Sequence, residues 1–439
     1  MKLKRFFTGL VAIFLAIFCF VPNAWAFCGF YVSKADAKLY NKASQVVIAR
    51  DGDRTVLTMA NDYQGEVKDF ALVVPVPVVL KAEQVRVGDS KIIERLDAFS
   101  APRLVEYFDE DPCAFNYLGG DVLRNAAPPA PVAQEATRSR SDRALGVTVE
   151  SQFTVGEYDI VVLSAKESNG LETWLNRNGY KIPQGAKQLL QPYIRQKMKF
   201  FVAKVNLTEF DKSGYERLRP LTMAFESKKF MLPIRLGMIN STSEQDLIVY
   251  ILSPKGQAEI TNYRTANIPS DAEIPLFVKN EFGEFYKSMF KKSYTQEDKK
   301  VAFLEYAWNM SSCDPCSAEP LNNEELRRAG VFWTDSAING NVFLTRLHVR
   351  YTRDKFPEDL MFQETANNQF FQGRYVLRHP FQGEVKCDAG KQYQKSLPRR
   401  FEQESQTLAK LTGWNIQDIR KKNNIPDSQP VPWWRKLWF

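Results

Sequence analysis

Histidine is scarce in this 439-residue chain, where His348 and His379 are the only two. A zinc site of about four ligands would have to take both of them together with cysteines. Neither G-x-S-x-G nor H-E-x-x-H occurs, and there is no Gly-rich phosphate loop of the Walker type. Nucleophile-elbow hydrolysis, zincin chemistry and P-loop phosphate binding therefore lack their motifs, and no cofactor is implied. A Ser-His-Asp arrangement stays open, because its members meet in space rather than in sequence. There is no tandem repeat at the periods of solenoids or propellers.

What is present begins with "MKLKRFFTGLVAIFLAIFCFVPNAWA", residues 1–26. Lys2, Lys4 and Arg5 precede an apolar stretch from Leu10 to Val21, and Ala24-Trp25-Ala26 ends it as a small-x-small cleavage signal. The pattern predicts export by a signal peptide and a mature chain starting at Phe27. The apolar run is short for a membrane span of about 20 residues. Bulky Phe27 before Cys28 speaks against lipid attachment. Loss of Lys2, Lys4 and Arg5 takes the net charge from +8 to +5, a mildly basic surface far from the charge density of a nucleic-acid binder.

Export gives the cysteines a meaning. Cys19 leaves with the signal, and Cys28, Cys113, Cys313, Cys316 and Cys387 enter an oxidising compartment where disulfides persist. Five is odd, so one thiol stays unpaired or bonds another molecule, and two bridges can be drawn in fifteen ways. With 44% apolar residues the chain can bury a large core, so bridges would secure loops rather than carry the fold.

Composition divides the remainder. Residues 27–124 read as β-rich, 125–146 ("NAAPPAPVAQEATRSRSDRALG") as a mobile Pro/Ala/Ser/Arg-rich loop, 147–424 as the main part of the same domain, and 425–439 as a Pro/Trp-rich tail. Asp51-Gly52-Asp53 between two β-branched runs is a hairpin signal. Pro75 and Pro77 should end a strand or hold it at an edge. "GDSKIIERLDAFSAPRLVEYF" reads as a helix, a break at Pro102 and a second helical piece. "KFFVAKVNLTEF" reads as a strand. "NVFLTRLHVRYT" and "QFFQGRYVLRHPF" form a long hairpin candidate. Strands and helices out of strict alternation argue for an α+β fold of largely antiparallel sheets with interspersed helices.

Three stretches carry chemistry. In "SSCDPCSAEP", Cys313 and Cys316 have C-x-x-C spacing, yet Asp314 opposes a thiolate and Pro320 delays the next helix to about Asn323. A structural bridge, within the pair or from one member to Cys387, is the favoured reading, with a thiol-disulfide oxidoreductase or a zinc site as alternatives. In "TRLHVRY", alternation puts His348 on one face with Arg346 and Arg350, which together with Arg353 form either an anion site or the solvated face of a sheet. In "PVPWWRKLWF", Trp433, Trp434, Trp438, Arg435 and Lys436 suit contact with a membrane surface or envelope partner. Docking of the same rings on the protein's own surface is equally supported.

"FCGFYV", "DFALVVPVP", "CDPCSAEPLNNEELRRAG", "FLTRLHVRYTRDKFPEDLMFQ" and "GRYVLRHPFQGEVKC" followed by "LTGW" resemble the exported bacterial proteins grouped as domain of unknown function 2330, from about Cys28 to Trp414. Members of that family often carry a second cysteine shortly after the first. Here Phe30, Tyr31 and Val32 stand there, which accounts for the odd count. The resemblance implies an exported protein with no assigned activity and supplies no catalytic residues. The reading overall is a non-enzymatic envelope or periplasmic protein that binds a partner or membrane surface.

Overall fold

The computed structural model describes residues 30–33, 40–41, 44–60, 63–64, 70–114, 146–178, 186–215, 218–239, 244–313, 318–334 and 341–423. After β1 (Phe30–Ser33), the predicted hairpin forms from β2 (Ser44–Asp51) and β3 (Arg54–Ala60). Gly52 takes the positive φ of the turn, +61°. Strand β4 (Phe70–Val76) runs through Pro75 and stops just before Pro77, which has no N–H to give a ladder. Then come β5 (Val85–Val87) and helix α1 (Ser90–Ser100), which starts where the Asp89 carboxylate accepts the Lys91 N–H at 3.0 Å.

Beyond Pro102 the chain is a strand, β6 (Arg103–Phe108), not the second helical piece the sequence suggests. Pro102 pushes Ala101 out of the helical region, and "RLVEYF" finds a strand far along the chain to pair with. Strands β7 (Val147–Val155) and β8 (Tyr158–Ala165) lead to α2 (Ser168–Arg177) and to α3 (Ala186–Arg195), which runs through Pro192. In "KFFVAKVNLTEF" only β9 (Lys199–Val205) is strand. Asn206 caps the Glu209 N–H and starts α4 (Leu207–Ser213).

There follow β10 (Leu221–Glu226), β11 (Gln245–Ser253), β12 (Arg264–Asn267), α5 (Phe282–Gln296), β13 (Val301–Asn309) and α6 (Asn323–Arg328). The last elements are β14 (Phe343–Tyr351), β15 (Leu360–Glu364), β16 (Arg374–His379), α7 (Asp388–Thr412) and α8 (Ile416–Lys422). The hairpin expected of β14 and β16 does not form. Both edges of β14 are taken, by β11 and β13, while β16 pairs in parallel with β6.

Two sheets face each other. One has the order β1-β4-β9-β8-β7 and is antiparallel; the larger runs β12-β13-β14-β11-β2-β3-β10-β5 and is mixed, with parallel steps at β11–β2 and β12–β13. Strands from both sides of residues 115–145 share each sheet. The fold is α+β with mostly antiparallel pairing. Val46, Leu57, Val249 and Leu347 of the large sheet meet Val74, Ile160 and Phe201 of the small one in a common core. Helices α2 and α3 cover the far side of the small sheet. The outer face of the large sheet is covered by α1 and α6 at one end and by α5, α7 and α8 at the other. Each fully buried aliphatic side chain in these layers, such as Leu96 or Leu408, contributes roughly 1.5–3 kcal/mol.

Candidate functional site

Between those two helical covers, the outer face of the large sheet carries charge. Strand alternation sends Leu347, Val349 and Tyr351 of β14 into the core and turns Arg346, His348 and Arg350 to the helices. Register sets their neighbours: on β11, Asp246 lies opposite Arg350 and Tyr250 opposite Arg346. On β13 the register slips between Leu304 and Tyr306, so Glu305 is the extra residue of a bulge. The bulge aims Glu305 at the gap between Arg346 and His348, where regular pairing would have offered only one of them.

Glu305 is 1% exposed and uses both oxygens. Oε2 accepts from Arg346 Nε at 2.6 Å, and Oε1 faces His348 Nδ1 at 2.9 Å and accepts from the Tyr286 hydroxyl of α5. The other ring nitrogen, Nε2, lies 3.0 Å from Asp246 Oδ1. Asp246 also takes two hydrogen bonds from Arg350, at 2.7 and 2.8 Å. From α1, Asp97 accepts from Arg346 Nη1 at 2.7 Å and from the Tyr250 hydroxyl at 2.8 Å. Phe290 of α5 stacks on the imidazole with centroids 4.0 Å apart, and Arg350 lies over the Phe290 ring at 4.8 Å. The network is thus roofed by aromatic carbon.

Three carboxylates (Asp97, Asp246, Glu305) face two guanidiniums and one imidazole, so the cluster is neutral when His348 is protonated. Burial disfavours the imidazolium, but Glu305 and Asp246 outweigh it and raise the His348 pKa. Burial likewise opposes the charged form of Glu305, yet Arg346 and His348 hold it down at about 2. Asp246 is lowered too, by His348 and Arg350 against its own desolvation. Burial, with Glu305 adding to it, pushes Tyr286 well above the usual phenol range. With a carboxylate on each nitrogen, His348 has no lone pair to offer a substrate. Those carboxylates bind opposite edges of the ring and do not converge on a point. Among the described residues no group of three or more His, Cys, Asp or Glu side chains is placed to hold a metal ion.

The cluster of Arg346 and Arg350 is therefore neither an anion site nor a solvated sheet face, as the sequence alone allows, but a set of ion pairs, buried at Arg346 and half-buried at Arg350; Arg353 lies beyond β14 and is exposed. Glu305, Asp246, Asp97, Tyr250 and Tyr286 escape a motif search. The signal for two of them is a lone carboxylate in a strand's apolar run, "VAFLEYAWN" for Glu305 and "QDLIVYILS" for Asp246, because a buried charge needs a partner. His379 is a strand-end residue. Its Nε2 lies 2.8 Å from Glu106, and its ring stacks on Phe108 at 4.4 Å.

Cys387 bonds Cys113, which rules out the alternative of a bridge from Cys313 or Cys316 to Cys387; the parallel pairing of β6 with β16 brings the two chain segments together. Cys313 is disulfide-bonded and packs half-buried beside the α1 and α6 cluster. Helix α6 begins at Asn323 with Asn322 and Glu325 in a capping box, where the sequence places it. Cys28, Cys316, Asp314, the 125–145 loop and Trp433, Trp434, Arg435, Lys436 and Trp438 lie outside the described residues. Beside the last described helix, α8, is an open groove whose lining includes Phe277, Trp414, Ile419, Glu281 and Lys422.

A family model described as "Uncharacterized protein conserved in bacteria (DUF2330)" matches residues 22–363, and the chain belongs to that family. The match ends inside β15, so β16, α7 and α8 lie beyond it. No curated protein and no solved structure matches the chain. Among the described residues no helix is long and apolar enough to cross a membrane.

Proposed function

We propose that this member of the DUF2330 family is an exported envelope or periplasmic protein that binds a partner or the membrane surface, with a disulfide-stabilised fold and no catalytic role for its buried network. The observation that carries the reading is His348. Both of its nitrogens are engaged by carboxylates, and its ring is capped by Phe290. A group so saturated holds helix α5 to the sheet, as Arg346 holds α1 through Asp97, rather than moving protons to a substrate. Export rests on the basic, apolar and Ala-x-Ala segments of residues 1–26. The contact surface is the tail, where tryptophans and cations suit anionic headgroups. Deleting residues 431–439 should move the protein from a membrane fraction to a soluble one; unchanged partitioning would remove the tail from the reading.

The alternative, a thiol-disulfide oxidoreductase using Cys313 and Cys316, is separable by measuring that pair's reduction potential. A structural bridge lies below about −300 mV and a catalytic one well above it.

A further inference from the structure

The feature missing at Cys313, a cysteine sulfur at the start of a long helix, is present at Cys387. Cys387 is the N-cap of α7, a helix of 25 residues, and its Sγ accepts the Gly390 N–H at 3.2 Å. The helix packs so closely there that a Cβ on Gly390 would stand 3.1 Å from Cys113 Sγ. The other end of the bridge sits in an opposite environment. The Cys113 N–H is held by the Asp111 carboxylate at 2.8 Å, with Glu110 exposed beside it. On the α7 side Asp388 is paired by Lys391 at 2.8 Å, and Lys386 by Glu384, so the helix end keeps its positive potential. Both cysteines are half-buried, with Asp111, Ala114, Lys386 and Asp388 beside them exposed.

The structure assigns the Cys113–Cys387 bridge as a thiol-exchange site for an external dithiol, attacked at Cys113 and leaving from Cys387. A reductant thiolate bonds to Cys113 Sγ, the Sγ–Sγ bond breaks, and its electron pair departs on Cys387 Sγ, where the Gly390 N–H and the helix N-terminus hold the anion. The reductant's second thiol then closes its own disulfide and releases Cys113. Two electrons pass to the bridge, and the dithiol's two protons go to solvent or the new thiols. Attack at the other sulfur would expel a thiolate beside Asp111, the poorer leaving group.

Opening the bridge frees a defined piece of the fold. From Asp388 to Leu397 the helix is mostly exposed, and among the described residues Tyr393 ties it to the body, donating to Asp109 and accepting the Phe381 N–H; Arg400, past Pro398, also binds Asp109. The half after Pro398 is anchored by Glu404, Ser405, Leu408 and Thr412. Pro398 interrupts the helix ladder between the halves, placing the hinge there.

The test titrates the oxidised full chain with dithiothreitol, blocks thiols with N-ethylmaleimide and maps them by mass spectrometry. Cys113 and Cys387 should label at reductant levels at least tenfold below those that open Cys313; simultaneous or reversed opening overturns the assignment. A thioredoxin lacking its resolving cysteine should be captured on Cys113, and capture on Cys387 refutes the direction of attack. In the reduced chain, the pH dependence of iodoacetamide alkylation should put Cys387 below about 7.5 and Cys113 near the ordinary 8.5 or above, equal values counting against the helix effect. Hydrogen exchange should rise in residues 388–397 and stay unchanged in 402–412; a uniform rise would mean global loosening rather than a hinged release.

Discussion

Replacing Glu305 by Gln tests the buried network with almost no change of shape. The carboxylate serves three donors, Arg346 Nε, His348 and the Tyr286 hydroxyl, and is 1% exposed. An amide keeps one acceptor oxygen and turns an NH2 toward a donor on the other side, so either Arg346 or His348 loses its partner. Breaking a buried pair this way costs about 3–5 kcal/mol, far above the 0–1 kcal/mol typical of a surface pair. Asp97 still reaches Arg346 and Asp246 still reaches His348, which places the expected loss near the lower end.

Urea unfolding should show the midpoint falling with the slope unchanged. In a double-mutant cycle with Arg346→Gln the two losses should overlap by more than about 1 kcal/mol. The loss should also depend on pH with a fixed sign. Glu305, lowered from 4.5 to about 2, contributes fully above pH 4.5 and loses that contribution as pH falls through about 2. The gap between wild type and variant should therefore be smaller at pH 3 than at pH 7. A cost below about 1 kcal/mol, additive losses in the cycle or a gap that ignores pH would refute the idea that Glu305 holds the network together.

Other outcomes follow from the same geometry. His348, whose pKa is raised, adds stability that is full below its unfolded value near 6.5 and is lost as pH rises through the folded value. Phe290→Ala should cost roughly 3–5 kcal/mol, read as a fall in the urea midpoint, because it empties the space stacked on the imidazole. Glu404 of α7 is buried, has no hydrogen bond on Oε1 and is pushed up to about 7 by burial against the pull of Arg400. The folded state thus holds a proton the unfolded chain has lost, and stability falls as pH rises from about 4.5 to about 7. Glu404→Gln should flatten that fall in urea midpoints taken at pH 5 and pH 8.

Local signals carried much of the architecture. The hairpin at Gly52, the strand end before Pro77 and the cap at Asn322 each depend on a few adjacent residues, and adjacent residues are what a sequence displays. The basic face of β14 is legible as well, because period-two alternation needs no knowledge of neighbours. Local residues thus suffice for the α+β class, for several strand ends and turns, and for which side of β14 is charged.

What that face meets depends on long-range packing. Glu305 reaches Arg346 and His348 because a bulge on β13 turns it toward them, and Asp97 arrives on a helix 249 residues away from its arginine. The same long-range pairing overrode local preference after Pro102, made β6 a strand against β16 and so brought Cys387 to Cys113 across 274 residues. The physical reason is common to all three. Ion pairing, sheet pairing and disulfide formation depend on distance in space, and the chain encodes that distance only through the whole packed core.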